Sequence, residues 1–267
     1  MKKAFIGTGN MASAIIRGIA GNLCKPDDIC GFDLSSDKTA ALAKELGIRA
    51  AESAKDAAIW ADVVVLAVKP NDLPALLKDI SPELEANNPL IISIAAGKET
   101  QYIEELLPYK PKLVRIMPNI NAAVGAAMSA YCSNGNISEA DEGFAAALAG
   151  AIGKIIKLDE KYFPIFVVIA GSAPAYAYMF IDELARAAVK IGMNKQLALE
   201  IAAQTVLGSA KMIAESGRHP YELIDAVSSP AGTTIEGIAA LQELGFEHAV
   251  NQAVERAYKR DKEIAKS

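Results

Sequence analysis

Histidine and cysteine are scarce in this chain of 267 residues, which holds two histidines, His219 and His248, and three cysteines, Cys24, Cys30 and Cys132. The cysteines form no CxxC pair and are odd in number, which excludes a disulfide framework and suits a reducing compartment. Neither histidine has a second histidine or a cysteine close in sequence, so no metal site is expected. Basic blocks are absent as well. Lys and Arg number 27 against 32 Asp and Glu, for a net charge of −5. That balance argues against nucleic acid or an anionic membrane as partner. Met1-Lys2-Lys3 resembles the start of a secretory signal, but Gly7, Gly9, Asn10, Ser13 and Arg17 interrupt any continuous apolar segment behind it. The longest apolar run, 162–170, contains Pro164 and is too short to span a bilayer. A soluble, cytoplasmic protein acting on a small molecule is expected. Neither repeats nor low-complexity tracts are present.

Apolar residues are plentiful, at 52%, and their arrangement changes along the chain. Short apolar runs at 4–6, 29–33, 63–68, 90–94 and 114–117 read as buried strands. Helical patterns at 10–21, 38–46, 54–59, 72–80 and 100–107 fill the gaps. Such alternation predicts a parallel sheet with helices on both faces. Runs at 127–131 and 154–158, with a helix at 139–151 between them, extend it. Beyond about residue 160 alternation stops. Ala-rich helical periodicity takes over at 173–191, 195–215, 221–226, 234–244 and from 246 to the end, with Gly192, Gly217 and Gly245 as stops. The expected fold is α/β, a Rossmann-type doubly wound parallel sheet followed by an all-helical domain. Residues 1–158 form the dinucleotide-binding domain and 159–267 a helical dimerisation and substrate domain. About 110 helical residues give a modest core alone, so a homodimer is expected.

Gly7-Thr8-Gly9-Asn10-Met11-Ala12 follows the first strand and opens a helix. This is the GxGxxA form of the dinucleotide fingerprint: a tight turn, a close approach of pyrophosphate to backbone, and a small residue for helix–strand packing. At the second strand's end, Asp33 is placed to hold a ribose 2′-OH, while Ser35, Ser36 and Lys38 suit a 2′-phosphate. A helix cap by Ser35-Ser36-Asp37 competes with both. NADP is the cofactor taken forward, with NAD as the alternative. Ala67-Val68-Lys69-Pro70 and Ala95-Ala96-Gly97 close two further strands, where ligands of open α/β sheets bind, and are placed on the cofactor.

Val227-Ser228-Ser229-Pro230-Ala231-Gly232-Thr233-Thr234 joins two helical patterns. Successive free N–H groups in such a loop bind an anion, and two hydroxyls follow at once. The plain alternative is a cap, with Thr233 or Thr234 heading a helix that begins near Ile235.

Five segments occur in order: Gly7-x-Gly9-Asn10-Met11, Ala67-Val68-Lys69-Pro70, Arg115-Ile116-Met117-Pro118-Asn119, Ala170-Gly171-Ser172-Ala173-Pro174-Ala175-Tyr176, and Ser229-Pro230-Ala231-Gly232-Thr233-Thr234. Together the chain resembles the pyrroline-5-carboxylate reductases over essentially its whole length. The later segments are the specific ones. Two departures stand out: Ala173 and Ala231 occupy positions where that family usually has Gly. Alanine at positive φ costs about 1 kcal/mol or more, so position 231 is expected to have negative φ.

The resemblance implies hydride transfer from NAD(P)H to the C=N carbon of 1-pyrroline-5-carboxylate, giving L-proline. It places the Thr234 hydroxyl near the ring nitrogen, with Thr233 second. The N–H groups of Gly232 to Thr234 would hold the substrate carboxylate, and Ser229 and Ala231 shape that loop. Met117 and Asn119 are placed at the substrate edge, with a structural turn as the competing reading. Ser172 reads as either a helix cap or a site contact, Tyr176 as core, and Glu160 as a solvated boundary charge. The resemblance also implies rings of dimers. Other imine reductases and β-hydroxyacid dehydrogenases share the architecture. The latter resemble a group with a Lys after a Gly-rich turn, and here no Lys follows Gly171 before Lys190. A non-catalytic dinucleotide sensor has no use for a second anion-binding loop.

Overall fold

The computed structural model describes residues 1–265; Lys266 and Ser267, the end of the expected helical domain, lie outside the described residues. The chain divides into two compact units. One is Met1–Gly171 with the chain end from Arg260, and the other is Ser172–Lys259.

The first unit is built on eight strands: β1 (Lys3–Ile6), β2 (Ile29–Phe32), β3 (Arg49–Ala50), β4 (Val63–Leu66), β5 (Leu90–Ser93), β6 (Lys112–Met117), β7 (Ala127–Ser133) and β8 (Gly153–Lys157). Their order is β3-β2-β1-β4-β5-β6-β7-β8. Every pairing is parallel except β6 with β7. The expected parallel sheet therefore carries one antiparallel step. Only a short 3₁₀ turn, Ile120–Val124, separates β6 from β7, and a parallel return needs a dozen residues or more.

Alternation along the strands builds two cores. Phe5, Val63, Val65, Ile92, Val114 and Ile116 face one side, against α1 (Asn10–Ile19) and α6 (Glu139–Gly150). Ala4, Ile6, Val64, Leu66, Ile91 and Leu113 face the other. There they meet α3 (Ala54–Trp60), α4 (Leu73–Asn87) and α5 (Thr100–Glu105). The helix α2 (Ser36–Leu46) buries Thr39 and Leu42. A period of two in the strands thus fills both faces.

One helix end and one strand depart most from expectation. The helix expected at 72–80 runs on through Pro82 to Asn87, because Leu73, Leu77, Ile80 and Leu84 are all buried on one face. Burial there outweighs the proline penalty of about 3 kcal/mol. The two-residue strand β3 has too short a run to show periodicity.

A continuous helical stretch begins at Glu160. It passes through a 3₁₀ turn, α7 (Phe163–Phe166) and a π-helical turn at Val167–Ser172. Phe163, Phe166 and Ala170 pack on Ala130 and Cys132 of β7.

The second unit contains α8 (Ala173–Lys190), α9 (Lys195–Ser216), α10 (Pro220–Val227), α11 (Thr233–Glu243) and most of α12 (Phe246–Ala265). In α8 and α9 only Ala185, Ala198 and Ala202 are buried. Met179, Leu184, Ile201, Leu207 and Met212 are exposed. Asp182 ties the pair together by receiving both Arg186 and Lys195. The stretches Glu160–Lys190 and Lys195–Ser216, of 31 and 22 residues, are by length and composition apolar enough to cross a bilayer. The apolar run 162–170 thus belongs to a longer helical stretch, which continues unbroken past Pro164 and Pro174.

Candidate active site

The carboxyl ends of β1, β2, β4, β5 and β6 lie along one edge of the sheet, as parallel pairing requires. Gly7 to Met11, Ser35 and Ser36, Ala67 to Pro70, Ala95 to Gly97, and Met117 and Asn119 all leave from that edge. The strand order reverses direction at β1, between β2 and β4. Ligands of doubly wound sheets bind at such a switch point.

Gly7 is required by the fold itself. Its φ is +98°, and a Cβ there would sit 2.5 Å from the Ala67 carbonyl oxygen. Gly9 is different. Its φ of −67° is open to any residue, and a Cβ would meet nothing within 4 Å. Space beside the backbone is kept clear at the point where pyrophosphate would approach. Gly9 heads α1 without a side-chain cap, and the first turn holds no acidic residue. The N–H groups of Asn10, Met11 and Ala12 are thus available to an anion. These residues fit a dinucleotide.

Thr8 is committed to the scaffold. Its hydroxyl is buried and shares a 3.1 Å hydrogen bond with Thr39, and its N–H donates to Asp33 Oδ2 at 2.9 Å. Asp33 Oδ1 accepts the N–H of Ser35 at 3.0 Å. Partial burial pushes the Asp33 carboxyl up, but the Thr8 and Ser35 donors outweigh it and hold it below its ordinary value. One carboxylate oxygen therefore braces the Gly-rich loop after β1, and the other braces the turn that leads into α2. Ser35 occupies the N-cap of α2 but makes no side-chain cap bond. The hydroxyls of Ser35 and Ser36 and the ammonium of Lys38 stand exposed. Leu34 beside them is 94% exposed, an apolar face that sequence reasoning passed over because one leucine carries no period. Lys69 is exposed, and its carbonyl closes a turn with the N–H of Asp72. Ala95 is buried, with Ala96 and Gly97 exposed. A groove of about 690 Å³ runs from Thr8, Gly9 and Asn10 along α1 and α2.

Met117 is half buried at the end of β6. Asn119 is 6% exposed, and both ends of its amide are engaged. Nδ2 donates to the Ala170 carbonyl at 2.8 Å, and Oδ1 accepts the Met128 N–H at 3.3 Å. Glu160 is not a solvated charge. It accepts from the Thr100 N–H at 2.9 Å, the Thr100 hydroxyl at 2.6 Å and Arg115 Nη1 at 2.8 Å. Sequence gave no sign of this, since its partners lie 45 and 60 positions away.

The hydroxyl loop lies in the second unit. The Gly232 N–H donates to the Ser229 carbonyl at 3.0 Å, closing a turn with Pro230 and Ala231 at its centre. Ala231 has φ +55°. This overturns the expectation of negative φ. Proline at the second position and positive φ at the third is the type II arrangement, so the Ser-Pro-x-Gly pattern itself was the signal. The left-handed conformation costs alanine about 1–2 kcal/mol. Ala231→Gly regains that against about 0.4–1 kcal/mol of added unfolded-chain entropy. It should raise the unfolding midpoint slightly; an unchanged or lower midpoint refutes strain at this residue.

Two details of the expected clamp also change. The cap of α11 is Gly232, with the helix starting at Thr233, and it makes no side-chain cap bond. Neither Thr233 nor Thr234 is therefore the cap. The Gly232 N–H is consumed by the turn and cannot serve a carboxylate. The N–H groups of Thr233 and Thr234 are helix-terminal donors without helical partners. Both side chains are exposed, as is Ser229. Ser172 heads α8 without a side-chain cap bond.

Comparison with known proteins bears on this pattern directly. Residues 160–264 match a family model described as pyrroline-5-carboxylate reductase dimerisation. Residues 2–97 match one described as NADP oxidoreductase coenzyme F420-dependent. The pyrroline-5-carboxylate reductase of Escherichia coli (strain K12) is 39% identical over 267 residues, covering 100% of this chain and 99% of the relative. That of Methanosarcina acetivorans is 39% identical over 99% of this chain and 98% of its own length. Among solved structures, a pyrroline-5-carboxylate reductase from Coxiella burnetii superposes with a TM-score of 0.94 at 32% identity, covering 100% of this chain and 99% of that one. The Plasmodium falciparum pyrroline carboxylate reductase with NADP bound gives 0.87 at 32% identity, covering 99% and 98%. A dinucleotide loop at the switch point and an uncapped, hydroxyl-bearing helix start thus occur in a chain that matches these enzymes from end to end, and the chain belongs to the pyrroline-5-carboxylate reductase family.

Proposed function

We propose that this protein reduces the C=N bond of 1-pyrroline-5-carboxylate to L-proline with NADPH. The observation that carries the reading is the α11 N-terminus, where two adjacent threonines present unpartnered N–H groups and exposed hydroxyls. A carboxylate is favoured there by both the donors and the helix dipole. Ser229, Ala231 and Gly232 shape the turn that delivers them. The cofactor supplies the hydride. It adds to the imine carbon, the C=N π pair passes to nitrogen, and nitrogen takes one proton unless the ring enters as the iminium. The Thr234 hydroxyl serves that nitrogen, with Thr233 second. Holding the carboxylate fixes the ring, and a fixed ring raises rate through orientation.

NADPH is the assigned cofactor. Gly7 shapes the loop, and Thr8 backs it. Gly9, Asn10 and Met11 take the pyrophosphate, and Ser35 and Ser36 take the 2′-phosphate. Ala67 to Pro70 and Ala95 to Gly97 line the nicotinamide half, with Met117 at the substrate edge. The preference over NADH is supported by the exposed hydroxyls of Ser35 and Ser36 and the exposed Lys38 beside them. Residues 1–158 serve the cofactor and 159–267 the substrate and dimerisation. A second copy covers the apolar faces of α8 and α9, whose Asp182, Glu183, Arg186 and Glu200 suit a protein interface better than lipid. Rings of such dimers, working in the cytoplasm, complete the assignment.

Thr234→Ala tests the mechanism. Turnover should fall by about 10²-fold while NADPH affinity stays unchanged. Undiminished turnover moves the donor to Thr233 or water.

A further inference from the structure

Pro174 lies two residues into α8, in a helical stretch that has run unbroken from Glu160. A proline has no N–H, so the carbonyl four residues back, that of Ala170, loses its α-helical donor. Just before Pro174 the helix is widened into the π turn Val167–Ser172. Such turns in α-helices recur at functional sites. The orphaned carbonyl is not left bare. Asn119 Nδ2 donates to it at 2.8 Å from a buried position, while Asn119 Oδ1 is held by the Met128 N–H. Asn119 follows β6 at the sheet edge that carries the phosphate loop. One amide therefore joins the carboxyl end of β6 and the start of β7 to the turn from which the chain leaves the first unit.

We infer that Asn119 is a positioning residue for the reduction. It fixes the π turn at the substrate end of the sheet edge by replacing the donor that Pro174 lacks. This rests on the reductase reading for its kinetic consequence, but the staple itself does not. Each end of its amide already holds one partner within the protein, so we assign it a positioning role in place of the direct substrate contact expected for this residue.

Asn119→Asp separates the two bonds. It keeps an acceptor for Met128 and loses the donor to Ala170. In full-length protein, hydrogen exchange at residues 167–172 should rise, with protection in β1 to β5 unchanged. The kcat for 1-pyrroline-5-carboxylate should fall by about tenfold or more with NADPH affinity within about threefold of wild type. Unchanged exchange at 167–172 overturns the staple whatever the activity. Raised exchange with wild-type kcat and KM overturns the positioning role. If the wild type itself consumes no NADPH with this substrate, the reductase reading fails and exchange alone decides the staple. Should the Asp variant not fold, Asn119→Ala carries the same readouts.

Discussion

Gly9→Ala is expected to leave the fold intact and to weaken NADPH binding by about 10²-fold, close to 2.7 kcal/mol. Gly7→Ala, two residues earlier, is expected to prevent folding of the first unit. The contrast comes from what surrounds each backbone. At Gly7 a methyl would lie 2.5 Å from the Ala67 carbonyl oxygen and 2.7 Å from its carbon, at a φ of +98°. Those atoms belong to the turn after β4, which is hydrogen-bonded to β1 through the Ala67 N–H and Ile6 carbonyl. Neither side can give way. At Gly9 the added methyl meets no protein atom within 4 Å, and φ and ψ of −67° and −176° suit alanine. Alanine heads a helix less well than glycine by under about 1 kcal/mol, which a folded unit absorbs. On the proposed reading, the methyl fills only the open space into which pyrophosphate would come. Fluorescence titration with NADPH and a thermal melt separate the two outcomes. A Gly9→Ala protein that binds NADPH as the wild type does would show that the loop is a structural turn.

Loss of Glu160 should destabilise the first unit by about 3–5 kcal/mol, the usual consequence of stranding a buried charge. Arg115 is 4% exposed, lies over the Phe163 ring at 4.5 Å, and already has one buried nitrogen, Nε, without a partner. Removing the carboxylate takes away the hydrogen-bonded partner of the guanidinium, leaving it only the more distant charge of Asp261, and also strips the first N–H of α5 at Thr100. Denaturant unfolding of Glu160→Ala at fixed protomer concentration measures this. Replacing both charges, as in Arg115→Met with Glu160→Leu, should cost less than Glu160→Ala alone, because no charge is stranded. The double variant being the less stable would show that the ion pair is a minor partner in the cluster.

The same cluster sets a pH dependence. Partial burial pushes the Glu160 carboxyl up, but the Thr100 and Arg115 hydrogen bonds outweigh it and hold it below its ordinary value. A carboxyl lowered in the folded state contributes stability above its unfolded pKa, about 4.3. That contribution is lost as pH falls from there through the folded value. Glu160→Ala should therefore flatten the acid limb of the stability curve.

Most of the first unit was legible because its strands are short apolar runs set between helical periods, and buried parallel strands leave that trace. The Gly-rich loop was legible because glycine spacing reports local backbone demands. Three features were not. The antiparallel step at β7 depends on a short connection rather than on composition. The left-handed Ala231 was hidden by its methyl, although Pro230 before it and Gly232 after it outline the turn. The Glu160–Arg115–Thr100 cluster and the Asn119 staple join residues 45 to 60 positions apart, and no period in one sequence records such a distance. Thr233 and Thr234 stood out as hydroxyls beside a turn. Which of their neighbours gives up its N–H to that turn took coordinates to see.

The decisive measurement mixes purified protein, NADPH and 1-pyrroline-5-carboxylate and follows NADPH absorbance together with L-proline formed. NADPH consumed in equal amount to L-proline released, faster than with NADH, is the expected result. A folded protein at micromolar concentration that oxidises no NADPH on addition of the substrate contradicts the assignment.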